Sequence, residues 1–130
     1  MGDRPPHWLQ SATMRTRHHE IDKGLLIIEA TEAINDDPTD AFVEELESAI
    51  TAGRHPRIII DCRDVQFLSS FGLSMLMRVR TAARHANGEV KLAAVNSMIL
   101  EMLRVTKMAQ NFMVYPDVEQ ARIAFHPKSR

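Results

Sequence analysis

A single cysteine, Cys62, leaves the chain without an internal disulfide and fits a reducing compartment. Neither sign of charge prevails. Lys and Arg number 16 against 17 Asp and Glu, for a net charge of -1, so no polyelectrolyte argument favours nucleic acid or an anionic membrane. No apolar run approaches bilayer length. The opening MGDRPPHWLQ lacks the apolar core of a secretory signal. Pro6 also stands where myristoylation at Gly2 needs Ser or Thr. These absences lead to the expectation of a cytoplasmic protein with no membrane insertion and no nucleic-acid partner.

Chemistry-bearing motifs are equally scarce. There is no Gly-x-x-x-x-Gly-Lys loop, and Gly72 is too isolated for a dinucleotide fingerprint. His18-His19 invites a metal reading. Neighbours on a strand point to opposite faces, however, so the pair cannot easily chelate one ion. They read better as solvated histidines. Cys62 follows an apolar run with no histidine evidently placed to activate it, which suits a buried small hydrophobe better than a nucleophile. The expectation is a protein with no catalytic residue, no metal and no cofactor, hence not an enzyme.

What is present is globular. Apolar residues make up 45% and charged residues 25% of 130 residues, enough for one domain with its own core. Residues 1–12, with Pro5-Pro6 and Trp8, have no period and read as a flexible N-terminal arm. Trp8 either docks on the domain or meets a partner there. Met14 to Ile21 reads as a wet edge strand, Lys23-Gly24 as a turn, and Leu25 to Ala30 as a strand buried on both faces, so the pair forms a hairpin. Ile34 to Pro38 reads as a loop, with Asp37 as cap and Pro38 as first residue of a helix. That helix carries Phe42, Leu46, Ala49 and Ile50 on one stripe and ends at Gly53. Further on, the pattern predicts a helix to Asn87-Gly88 and a buried strand Val90 to Val95. A short helix capped by Asn96 or Ser97, a strand Phe112 to Tyr115 and a helix begun by Pro116-Asp117 complete it. Strands alternating with helices after a hairpin imply an α/β fold. The expected sheet is mixed, of about four to five strands, covered by about four helices. The eight methionines lie mostly on the helices, where core filling accounts for most of them.

The centre of the chain is Arg57 to Arg80, RIIIDCRDVQFLSSFGLSMLMRVR. The apolar Ile58-Ile59-Ile60 predicts a buried strand. Asp61, Arg63 and Asp64 break it. Leu73, Leu76, Met77 and Arg80 recur at helical spacing. Ser69 and Ser70 stand where the helix cap belongs, and a serine oxygen there accepts from the unpaired N–H groups of the first turn. Capping alone accounts for the pair. The same place also tolerates a phosphate, because those N–H groups and the helix dipole favour negative charge.

The pattern apolar-apolar-Asp-x-x-x-Val-x-Phe-Leu-Ser-Ser-x-Gly-Leu resembles the STAS domain of bacterial anti-sigma-factor antagonists. Asn87-Gly88, Val90 to Asn96, Met102 to Met108 and Phe112 to Tyr115 resemble its later elements. The resemblance covers roughly residues 14 to 126. It implies a single STAS-like domain over residues 13–126, with a short tail over 127–130. It implies a protein that binds a serine kinase/anti-sigma factor with a histidine-kinase-like ATP fold. Release would follow phosphorylation of a hydroxyl at the loop-to-helix junction and be reversed by a serine phosphatase; a homodimer is a further candidate assembly. Many members carry the accepting hydroxyl directly before the glycine. Here Phe71 stands there, and Ser69 replaces an aspartate. Ser70, the nearest hydroxyl, is the first candidate acceptor and Ser69 the second, with Ser69, Ser70, Phe71, Gly72 and Ser74 as the candidate partner surface. Glycine is a poor interior helix residue, so Gly72 is expected to allow close approach, by a partner near Phe71. An adaptor subunit of a transporter or signalling complex, without phosphorylation, is the alternative within the family; a small enzyme using Cys62 or the His18-His19 region is the alternative outside it.

Overall fold

The computed structural model describes residues 13–20, 24–52 and 56–125, with only the backbone over 14–20. The arm 1–12 with Trp8, Lys23, Gly53 and the tail lie outside the described residues, as do the side chains of His18 and His19.

Five strands form one sheet in chain order: β1 (Met14–Glu20), β2 (Leu25–Ala30), β3 (Arg57–Asp61), β4 (Glu89–Ala93) and β5 (Met113–Tyr115). β1 pairs antiparallel with β2 at one edge, from Met14 opposite Ala30 to Glu20 opposite Leu25, with an irregularity between Thr16 and His18. From β2 onward the strands are parallel, so that Ile28 lies beside Ile60 and Ile60 beside Leu92. Parallel neighbours need crossovers. These are α1 (Asp40–Ala52), α2 (Ser70–His85) and α3 (Ser97–Val105), and α4 (Val118–Phe125) follows β5. The mixed sheet and four α-helices match the α/β expectation.

Strand alternation sorts the core into two layers. Ile28, Ile58, Ile60, Val90 and Leu92 pack with Leu46 and Ile50 of α1, with Met75, Leu76 and Val79 of α2, and with Ile99 and Leu103 of α3. Leu25, Ile27, Ile59 and Ala93 face the other way and meet Ala121, Val118 and Phe125 of α4. Both faces of the parallel strands are thus covered, which is why β3 reads as an unbroken apolar run. Two charged residues are buried among the described ones, Asp61 at the end of β3 and Lys91, which is 5% exposed. Its Nζ lies 2.9 Å from Glu89 Oε2 and over the rings of Phe125 and Tyr115, 4.6 and 5.4 Å from their centroids. The partners and ring faces offset the cost of burying that ammonium.

Most boundaries fall where the local chemistry put them. Asn96 caps α3, its Oδ1 accepting from Ile99 N–H at 2.8 Å. α2 stops at His85, Asn87 takes a left-handed φ of 63°, and the Gly88 N–H bonds to Ala83 O at 2.7 Å. A Cβ on Gly88 would run into the Pro56 carbonyl, so glycine is required there. Three differ by more than one residue. The cap of α1 is Thr39 rather than Asp37: its Oγ1 accepts from Phe42 N–H at 3.1 Å, and the helix starts at Asp40, leaving Pro38 ahead of it. The segment expected as a loop begins as a 3-10 helix, Glu32–Asn35, capped by Thr31; four residues are too few to show a period. β4 ends at Ala93 rather than Val95, because Ala94 turns to φ 60°.

Ile59 is fully buried between the β-sheet and α4. Ile59→Asp places an unpaired carboxylate there, at a cost comparable with the whole stability of a domain, about 5–15 kcal/mol. A thermal melt followed by circular dichroism is expected to show no cooperative transition.

Candidate functional site

β3 ends at Asp61, whose Oδ1 accepts from Arg63 N–H at 3.0 Å and turns the chain. Val65 and Leu68 anchor the following loop in the core, while Phe67 points outward. Ser69 then adopts extended angles and caps α2: its Oγ accepts from Gly72 N–H at 3.3 Å. The same Oγ donates to Asn35 O at 3.0 Å. Ser70 is the first helical residue and is exposed. Its hydroxyl makes no hydrogen bond among the described residues. The two candidate serines therefore differ: one is engaged, the other free.

The loop is held from two sides. The Asn35 amide accepts from Ser69 N–H at 2.7 Å and donates to Phe67 O at 2.9 Å. Glu32 Oε2 accepts from Gln66 N–H at 2.5 Å. From the α3 side, Asn96 Nδ2 donates to Gln66 O at 2.9 Å. Sequence reasoning did not single out Asn35, Glu32 or Gln66 as site residues. Asn35 lies 34 positions from Ser69, and no local pattern reports such a pairing.

Gly72 is buried. A Cβ there would collide with Asn35 Oδ1 and stand 3.0 Å from Leu68 Cδ2. The expectation that a partner makes the close approach at Gly72 is corrected: Asn35 of the same chain makes it, because the clamping amide occupies the space a side chain would need. Phe71, by contrast, is 43% exposed and Phe67 46%. Ser74 is also exposed. Phe71, Ser74 and Arg78 line a groove of about 470 Å³ shared with Val43 and Glu47 of α1. Arg78 and Glu47 pair across it at 2.8 Å. Ser70, Phe71 and Ser74 thus share the outer surface with Phe67, while Ser69 is half-buried and Gly72 faces inward.

Cys62 is 1% exposed. Burial first, and the neighbouring Asp61 charge second, push its thiol up to about 12. It is a protonated core residue at neutral pH. Among the described residues no group of three His, Cys, Asp or Glu side chains could hold a metal ion, and no helix is long and apolar enough to cross a membrane.

The STAS domain family model matches residues 16–121, and the chain belongs to that family. Its fold is that of the anti-sigma-factor antagonists. The structure of an anti-sigma-factor antagonist (STAS) domain protein from Planctomyces limnophilus is 22% identical, covers 87% of this chain and 97% of its own, and superposes with a TM-score of 0.65. The anti-sigma factor antagonist SpoIIAA in its unphosphorylated form is 12% identical, with coverage of 90% and 99% and a TM-score of 0.69. A sulfate transporter family protein from Wolinella succinogenes is 14% identical, with coverage of 82% and 88% and a TM-score of 0.61. No curated protein matches the sequence.

The raised thiol pKa has a sign. The unfolded chain ionises Cys62 near its ordinary value of 9.0, the folded chain only near 12. Its contribution to stability is complete below about pH 9 and is lost as pH rises towards 12. Denaturation midpoints measured across that window are expected to fall, and Cys62→Ala, though less stable at neutral pH, is expected to show a shallower fall.

Proposed function

We propose that this chain is a regulatory binding module of the anti-sigma-factor antagonist type, released from a serine kinase/anti-sigma factor when Ser70 is phosphorylated. The single observation that carries the reading is the setting of Ser70: a free, exposed hydroxyl at the first position of α2, in a segment whose Phe67 and Phe71 are also exposed. A phosphate there adds nearly two negative charges at a helix N-terminus, where the dipole accepts it, so the fold survives. A partner packed over Ser70, Phe71 and Ser74 does not tolerate the same charge, and a local modification becomes a binding decision. ATP belongs to the partner, and this chain is ligand and substrate rather than catalyst. Ser69 is the second choice of acceptor, because its hydroxyl is already bonded to Asn35 and Gly72.

The adaptor reading has two observations of its own. Phe71 precedes Gly72 where many relatives carry the acceptor, and one similar structure is a sulfate transporter family protein. In that reading the Phe67–Phe71 surface binds constitutively and no serine is modified.

Incubation with a cognate serine kinase/anti-sigma factor and ATP, followed by mass-spectrometric site mapping, is expected to place phosphate on Ser70. Ser70→Asp is expected to weaken binding to that kinase roughly 10- to 100-fold with the melting temperature nearly unchanged. Ser70→Ala is expected to bind normally and to resist release by ATP. An active kinase that leaves both serines unmodified decides for the adaptor.

A further inference from the structure

On the basis of the phospho-switch reading above, we propose that Asn35 is a positioning residue that selects Ser70 over Ser69 as acceptor. The 3-10 helix Glu32–Asn35 repeats every three residues, so Glu32 and Asn35 lie on one edge and both reach the loop over residues 66–69. The amide of Asn35 is used at both ends, its oxygen on Ser69 N–H and its nitrogen on Phe67 O, which fixes its orientation. The backbone oxygen of the same residue accepts from the Ser69 hydroxyl. Ser69 therefore has its N–H, its only hydroxyl proton and one lone pair committed inside the chain. Modification at Ser69 would remove the proton bonded to Asn35 O and place the phosphate at a half-buried oxygen that the clamped loop holds against the helix cap.

Ser70 bears none of these ties. Ser69 before it is held and α2 follows it, so its hydroxyl is presented without being engaged. In the transfer, Ser70 Oγ attacks the γ-phosphorus of the kinase's ATP. The Oγ–P bond forms as the bond from that phosphorus to the bridging oxygen breaks; ADP leaves with the electron pair, and the hydroxyl proton passes to a base of the kinase. Misplacing a reacting atom by about 1 Å costs on the order of 100-fold, so a loop held by Asn35 decides the rate as well as the site. Gly72 completes the device. Its missing Cβ leaves the space that Asn35 Oδ1 fills, so the contact can be loosened from either side.

The test compares wild type, Asn35→Ala, Ser70→Ala and Asn35→Ala/Ser70→Ala as substrates of the kinase with ATP. Phosphate is mapped by mass spectrometry, and amide exchange at Ser69 is followed by NMR. In Ser70→Ala the intact clamp is expected to keep Ser69 at least about 100-fold slower than Ser70 in wild type. Adding Asn35→Ala is expected to raise Ser69 modification roughly tenfold, and Asn35→Ala alone to slow Ser70 roughly tenfold, mainly in kcat, with faster Ser69 amide exchange. Gly72→Ala, which displaces the amide from the other side, is expected to behave likewise and serves if Asn35→Ala does not fold. Ready modification of Ser69 in Ser70→Ala overturns the proposal. So does unchanged site choice and rate in a variant whose Ser69 amide exchange shows the loop released. A wild-type chain that an active kinase leaves unlabelled overturns the switch reading itself, and that failure appears before any variant is made.

Discussion

The site depends on β3 being buried on both faces. Ile58, Ile59 and Ile60 are each at most 1% exposed, the first and last against α1–α3 and the middle one against α4. A strand covered on both sides and hydrogen-bonded to neighbours on both edges has no freedom to shift. The loop that leaves it therefore starts from a fixed point, and Val65 and Leu68 fix it twice more before α2 begins. A loop holds its side chains precisely only when its supports are rigid, and here the rigidity is passed from core to cap over a few residues.

The polar contacts divide the work differently. Asn35, Glu32 and Asn96 do not add a core; they satisfy backbone groups that the loop over residues 66–69 would otherwise leave to water. Each such bond contributes only about 1 kcal/mol net. Their joint effect is conformational: a loop that would fluctuate has one arrangement. Phe67 and Phe71 stay exposed on this segment rather than joining the core. On the far face of the sheet, Lys91 shows the same economy of pairing. A single carboxylate and two rings let a charged residue sit in a buried strand and help seat α4.

The likeness to the solved antagonists lies in this architecture rather than in shared residues, since the identities are 12–22%. Where this chain departs from the common motif, with Phe71 ahead of Gly72, the ring is turned outward and the backbone of the junction still caps the helix. The departure changes the exposed surface without disturbing the turn that supports it.

By itself, the sequence determined the strands, the helices, their order and the capped junction at Ser69-Ser70. Each rests on short-range physics: apolar period, cap chemistry, and the φ of Gly and Asn. The boundaries it missed were decided by single hydrogen bonds, as at Thr39, which captures the start of α1 in place of Asp37. Tertiary structure alone decided which serine is free, because the bonds that occupy Ser69 come from Asn35, 34 residues earlier. It alone decided that Gly72 faces that amide rather than a partner, and that Lys91 lies beneath Phe125. Such contacts join residues that no local period relates. They form only once the parallel sheet has brought the 3-10 helix after β2, the loop after β3 and the start of α3 together.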